Sequence, residues 1–394
     1  MTLSCHSWAL GTVANVRISQ KDIRIMVEGF LGTLRPVFGF ARLVGLFPCK
    51  RVRKENGHIE LVPISWKIQL TLYMISYTLF LGPYHILWPY FIINKGKSFR
   101  ELCQCFMNLF YGNETVVDAF IIALFFTFVS ASTLLICIGN YKMKQELCEL
   151  SVQYSQRKSK KKFKSFYFLL SMISIWSVGL SVNSAWMNYE CLSMKLVESI
   201  VLSVFLVLGN IWTLMPWMIF YGISMELLSD LEMEAENIIY RLKSSILPNV
   251  KIKQCEQFEI YAIKVKKILS RNILYSMTSL AVEILILLFA IPSIIINMLD
   301  NEDYHPGAIL NAATTSLYIS TLFMFVFYLN ITAENVTNKV LELNFALKDV
   351  YVPIEVLTKD TEGNTAPLYF VKSRVEDKLD RFQGFDGQGY FVLG

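Results

Sequence analysis

Apolar residues along this chain follow two rhythms. In the first, six stretches are apolar almost throughout: Trp66 to Asn94, broken by Pro83 and Pro89; Val117 to Gly139; Phe166 to Met187; Val197 to Met225, which contains Asn210 and Pro216; Ile273 to Met298; and Ala308 to Ile331. A helix rises about 1.5 Å per residue, so roughly 20 apolar residues cross a hydrocarbon layer of about 30 Å. Backbone groups in lipid have to be satisfied within the segment itself, so each stretch is predicted to be a helix. The second rhythm is amphipathic. Leu228, Leu231, Ala235, Ile238 and Leu242 recur at helical spacing, Leu247-Pro248-Asn249 interrupts, and Ile252, Cys255, Phe258, Ala262, Val265 and Leu269 resume. This pattern predicts a helical hairpin over 226–272. Val336, Val340, Leu343, Leu347 and Val350 repeat it after the sixth stretch, at spacings that suit helix-on-helix packing within one chain or between subunits.

Composition agrees with a membrane protein. Of 394 residues 54% are hydrophobic and only 18% charged, and the charges gather in blocks between the apolar runs. The net charge of +5 does not point to nucleic acid, because the basic residues flank hydrophobic segments, where they set orientation. Residues 1–65, 141–164, 226–272 and those after 332 hold thirty-two Lys and Arg, whereas 95–116, 188–196 and 299–307 hold four. Cytoplasmic connections retain positive charge, so both termini are expected inside. The first residues lack the basic start, unbroken apolar core and cleavage site of a signal peptide, in keeping with an N-terminus that is not exported. The expected organisation is a cytoplasmic N-terminal segment over 1–65, a six-helix bundle over 66–331 that includes the cytoplasmic hairpin 226–272, and a cytoplasmic tail over 332–394. The sequon Asn113-Glu114-Thr115 falls in a connection that the charges place outside, where it is a candidate glycosylation site. Eight cysteines show no zinc spacing. Cys103, Cys105 and Cys191 are the group expected to face an oxidising compartment. A bridge between their loops is one reading, and free thiols are the preferred one.

No enzyme signature is found. His6, His58, His85 and His305 have no Cys, Ser or carboxylate at a metal-binding or nucleophile spacing, and Gly384 to Gly389 is not followed by a phosphate-loop helix. No metal or cofactor is expected. Glu283 sits about ten residues into the fifth stretch, near mid-membrane, where an acid is costly and marks a ligand path, an ion path or a structural hydrogen bond. His85, Trp88, Trp186, Trp212, Asn311 and Tyr318 lie at outer depths. Together with Glu283 they are the candidate lining of a small-molecule pocket, set against the alternative of interfacial anchoring or helix packing. Lys158, Lys160, Lys161, Lys162 and Lys164 form the densest basic run, suited to anionic inner-leaflet lipid.

Seven-helix receptors coupled to G proteins keep the N-terminus outside, and the charges here reverse that architecture. Inverted topology, a length near 400 and a helical cytoplasmic hairpin together resemble the insect chemoreceptor superfamily, the gustatory receptors most of all. Pro36-Val-Phe-Gly-Phe-Ala-Arg42-Leu-Val-Gly45-Leu-Phe-Pro48 is similar to the segment before that family's first helix. Phe385-Asp386-Gly387-Gln388-Gly389-Tyr390-Phe391-Val392-Leu393-Gly394 is similar to the lead-in to its seventh. The resemblance implies an all-α membrane protein with the seven-helix inverted chemoreceptor fold, of which six helices are predicted here. It further implies a homo- or hetero-tetramer at the plasma membrane that binds a small tastant and opens a non-selective cation pore. Family members finish with a seventh, pore-lining helix bearing Thr-Tyr, five residues, then Gln-Phe, whereas this sequence stops at Gly394 with no further apolar run after Ile331. It is therefore read as lacking that helix, through truncation, an incomplete gene model or a short isoform. An odorant receptor, a secondary transporter and a non-conducting subunit are the alternatives.

Overall fold

The structure is a computed structural model describing residues 35–55, 59–96, 98, 101, 105, 135–153, 164–244, 247–300, 306–359, 365–382, 384–386 and 392–393. Residues 117–134 of the second predicted span lie outside the described residues, as do Asn113, Cys103 and Lys158 to Lys162; residues 135–142 are helical.

The segment before the first span is folded. Helix α1, Arg35–Leu43, ends in a Schellman cap. Gly45 N–H donates to the Arg42 carbonyl at 3.1 Å and Leu46 N–H to that of Ala41 at 2.8 Å. The cap requires a left-handed residue, and Gly45 supplies it with φ 74°. Strands β1, Cys49–Arg53, and β2, Ile59–Pro63, then pair antiparallel, with Cys49 opposite Pro63. The hairpin packs on α4, Lys144–Gln153, where Leu61 N–H donates to Ser151 Oγ at 2.9 Å.

The first predicted span becomes two helices, α2, Trp66–Phe80, and α3, Gly82–Asn94. Ser65 caps α2 by accepting from Ile68 N–H. Pro83 lacks an N–H to continue the ladder, and the break falls at Leu81; Pro89 is absorbed inside α3. Helix α5, Lys164–Leu192, turns into α6, Leu196–Leu242, through Ser193 at φ 49°. The Glu198 carboxylate accepts from Lys195 N–H at 3.0 Å and closes the first turn of α6. Pro248 opens α7, Pro248–Asp300, and Pro306 opens α8, Pro306–Lys348. Among the described residues, three helical segments are long and apolar enough to cross a membrane: Ser165–Leu192, Leu196–Leu242 and Ala312–Lys348.

The helices of the predicted hairpin continue those of the apolar stretches. At 47 and 53 residues, α6 and α7 run through from the apolar stretches without a break and meet at 243–247. All the stripe residues predicted on both helices, and Val336, Val340, Leu343, Leu347 and Val350 on α8 and just beyond it, are buried within this one chain. Beyond α8 the sequence reading foresaw no helix, yet α9, Leu368–Asp380, docks on α7 and α8, between the short ladders β3–β4 (Leu357–Lys359, Thr365–Pro367) and β5–β6 (Phe385–Asp386, Val392–Leu393). Its buried face is Leu368, Val371, Val375 and Leu379. Arg374 pairs with Glu256, Lys378 with Glu259 at 3.0 Å and Lys348 with Asp380 at 3.1 Å. Burying four apolar side chains is worth about 1.5–3 kcal/mol each, against about 0–1 kcal/mol for a pair with a solvated partner. Apolar burial therefore holds α9 down, and the ion pairs set its register.

At Gly45 a methyl group would meet the backbone of α2, at the Tyr73 amide and 2.7 Å from the Gln69 carbonyl, whereas at Gly39 it would meet nothing within 4 Å. Gly45→Ala is expected to lose at least about 1 kcal/mol, and Gly39→Ala, in a helix interior, to gain up to about 1 kcal/mol. Thermal melting of the detergent-purified chain, followed by size-exclusion chromatography, checks the opposite signs.

Candidate functional site

A close seam between α5 and α8 brings polar and aromatic side chains together. Gly179 on α5 has no side chain where the methyl group of Thr314 on α8 sits, so the two helices approach closely. Asn183, one turn along, donates from Nδ2 to Thr314 Oγ1 at 3.1 Å, and the Thr314 hydroxyl donates in turn to the Leu310 carbonyl at 3.0 Å. One turn the other way, Trp176 and Tyr318 stack with ring centroids 4.6 Å apart and planes 29° from parallel. Asn183 is 5% exposed, and among the described residues its Oδ1 has no protein partner. A buried acceptor left unmade costs about 1–3 kcal/mol, so this seam carries an unused acceptor beside a stacked aromatic pair.

The seam lies near one end of the bundle. Cys191 is eight residues, about 12 Å, beyond Asn183 on α5. It is bonded to Cys105, with Cα atoms 5.7 Å apart, which corrects the expectation of free thiols. Around this bridge Met187, Leu192, Met194 and Leu202 form a small apolar cluster against which Leu87 and Phe91 of α3 and Trp186 of α5 pack. Lys95 Nζ donates to the Ser193 carbonyl at 3.2 Å and ties the exit of α3 to the α5–α6 turn.

Of the predicted lining, Tyr318 is in the seam and Trp186 is in the cluster beside the disulfide. Asn311 sits on α8 one turn from Thr314, His85 and Trp88 on α3, and Glu283 on α7; the side chains of these four lie outside the described residues. Trp212 belongs elsewhere. It is 3% exposed on α6, faces Tyr73 and Tyr77 of α2, and donates from Nε1 to Ser76 Oγ at 3.1 Å. Ser76 Oγ lies 2.8 Å from the Val44 carbonyl and 2.9 Å from that of Tyr73, so one hydroxyl joins α1, α2 and α6. That geometry makes Trp212 a packing residue. Asn183, Thr314 and Trp176 were missed by sequence reasoning, although an Asn within an apolar run is itself a signal of the kind that singled out Glu283.

Ser76→Ala strands the buried Trp212 N–H and is expected to destabilise by about 1–3 kcal/mol, while Trp212→Phe removes donor and demand together and loses less through hydrogen bonding. Melting of both variants and of their double mutant isolates the bond from the ring packing. Peptide mapping without reductant is expected to recover Cys105 linked to Cys191, and Cys191→Ser to lower the melting point.

No family model matches the chain, and no curated protein matches it. Solved structures do match, and the chain is similar to the insect olfactory receptor OR5 from Machilis hrabei, with a TM-score of 0.55 at 12% identity, over 92% of each chain. Over nearly its whole length, therefore, the chain has the fold of that insect olfactory receptor.

Proposed function

We propose that the chain is a chemoreceptor subunit of a ligand-gated, non-selective cation channel, multi-pass in the plasma membrane with its N-terminus cytoplasmic. The fold shared across 92% of the chain carries this reading. The charge pattern supports the orientation, and so does the Cys105–Cys191 bridge, because both cysteines lie in connections that the Lys and Arg distribution assigns to the outside, where disulfides persist. A tetramer, homomeric or shared with related subunits, follows from the family resemblance.

The ligand class is a small molecule with a hydroxyl or N–H to offer and an apolar face. Asn183 Oδ1 is the acceptor such a donor would meet, and the Trp176–Tyr318 stack is the apolar wall. Trp186, Asn311, His85, Trp88 and Glu283 remain candidate neighbours. Binding opens the pore only if the ligand prefers the open arrangement, since equal affinity for both states shifts nothing. Pro36 to Pro48 and Phe385 to Gly394 favour the gustatory branch, so a tastant is the first reading. The olfactory neighbour favours an odorant as the second.

Cells expressing the full gene product are expected to show currents evoked by members of a tastant and odorant panel, with a reversal potential set by sodium and potassium together. Saturable uptake without gated current would overturn the channel in favour of a transporter. Asn183→Leu is expected to raise the half-maximal ligand concentration about tenfold, the equivalent of one hydrogen bond, at unchanged surface expression. Glu283→Gln is expected to shift the same curve, and an unchanged curve removes that residue from ligand control.

A further inference from the structure

The β1–β2 hairpin meets α4 through two cysteines that the chemoreceptor reading does not use. Cys49 opens β1 and Cys148 lies in the middle of α4; their Sγ atoms stand 3.5 Å apart across 99 residues of chain. Both are buried, Cys148 at 8% exposure and Cys49 at 1%. The contact is fixed on both sides. Ser151 Oγ accepts from Leu61 N–H of β2 and donates to the Cys148 carbonyl at 2.7 Å, while Cys49 is held opposite Pro63 in the ladder. A disulfide brings its sulfurs to about 2.05 Å, so closure takes about 1.5 Å of sulfur movement.

The two thiols are not equivalent. Their mutual hydrogen bond, with burial, pushes Cys49 well above the ordinary thiol range. The same bond pulls Cys148 below it, and the nearby Lys144 ammonium helps. Cys49 thus keeps its proton and shares it, while Cys148, the more exposed, is the readier thiolate.

We propose that Cys49 and Cys148 are a redox-modification site, a dithiol that peroxide converts into an intramolecular disulfide fastening the hairpin to α4. The Cys148 thiolate attacks one peroxide oxygen, the O–O bond breaks, and the departing hydroxide takes up a proton and leaves as water. Cys148 is then a sulfenic acid. The Cys49 sulfur attacks the Cys148 sulfur, the S–O bond breaks, and the hydroxide released takes the Cys49 proton and leaves as a second water. Two thiols lose two protons and two electrons, and peroxide is reduced to water. A small thiol such as glutathione reverses the bond by exchange. The dithiol resting state relies on the inward placement of both residues under the proposed function, since a reducing compartment keeps such a pair open.

The test treats the purified full chain with hydrogen peroxide, alkylates the remaining thiols after denaturation, and maps peptides without reductant. A Cys49–Cys148 linked peptide is expected to rise with peroxide and disappear on dithiothreitol. Cys255, whose thiol burial pushes up to about 12, should stay alkylatable and serves as an internal control. In Cys49→Ser, Cys148 is expected to be trapped as a dimedone adduct, and in Cys148→Ser, Cys49 should remain a thiol. Oxidation of Cys148 with Cys49 still free in the wild type would overturn the proposal, as would two intact thiols at peroxide levels that oxidise glutathione in the same tube. Acid-quenched, unstressed cells should yield the dithiol, and recovery of the bonded pair there overturns the switch. An epitope tag within 157–164 tells the two failures apart: if antibody reaches it on intact cells, inward placement is wrong, and if not, the pair chemistry is.

Discussion

A helix longer than the bilayer is thick has to bury its apolar stripe twice, once in lipid or among neighbours and again beyond the hydrocarbon layer. At 47, 53 and 43 residues, α6, α7 and α8 extend about 65–80 Å against a layer of about 30 Å. They meet this constraint by burying one another. Leu228, Leu231 and Ala235 of α6, Phe258, Ala262 and Val265 of α7, and Val336, Val340 and Leu343 of α8 are all at or near zero exposure. The rest of the fold completes this shared core, with α9 laid along α7 and α8 and with α4, which carries the β1–β2 hairpin, set against α7.

Some polar groups in that frame tie distant elements together. Pro216 lies inside the continuous α6, and the buried Asn140, from the helical residues 135–142, donates to the Pro216 carbonyl at 3.3 Å. Ser76 reaches the C-cap carbonyl of α1 while accepting from Trp212. Both residues are buried and both link elements far apart in sequence, which is how a bundle of nearly uniform apolar helices acquires one register. Asn183 is matched only through its amide N–H among the described residues, and its unmatched Oδ1 lies beside the Trp176–Tyr318 stack. A half-satisfied buried amide beside an aromatic stack is what the proposed ligand contact rests on, whereas the Trp212 N–H already has its acceptor.

What was legible in the sequence was periodic. The stripes on α6, α7 and α8 could be read because burial on one face imposes helical spacing, and the interruption at Leu247-Pro248-Asn249 because proline opens a helix without needing a donor. Helix α9 escaped notice because thirteen residues with six charges, of which only four apolar positions are buried, resemble a solvated tail until α7 and α8 present a surface to them. The Cys105–Cys191 bridge joins residues 86 apart, and no local spacing encodes that meeting. The Trp and Tyr candidates were chosen by depth, and depth is a single coordinate. It placed Tyr318 and Trp186 on one side of the bundle and Trp212 among them, although Trp212 turns to α2. Gly179 held the missing information, since a glycine within an apolar helix marks where another backbone comes close.

The two cysteine pairs carry this geometry into chemistry. Cys105 and Cys191 join connections at one end of the α5 helix and are bonded, while Cys49 and Cys148 face each other between the hairpin and α4 and are not. Proximity is common to both pairs, so proximity does not decide oxidation state. If the connections divide as lysine and arginine suggest, the bonded pair faces an oxidising medium and the open pair a reducing one, with equilibrium set by the potential of each compartment. The inner pair then rests one oxidation step from a covalent clamp on the hairpin that leads into α2. Since α2 holds Ser76, which bonds to Trp212 of α6, a constraint imposed at the hairpin reaches a long helix of the bundle through groups already in contact.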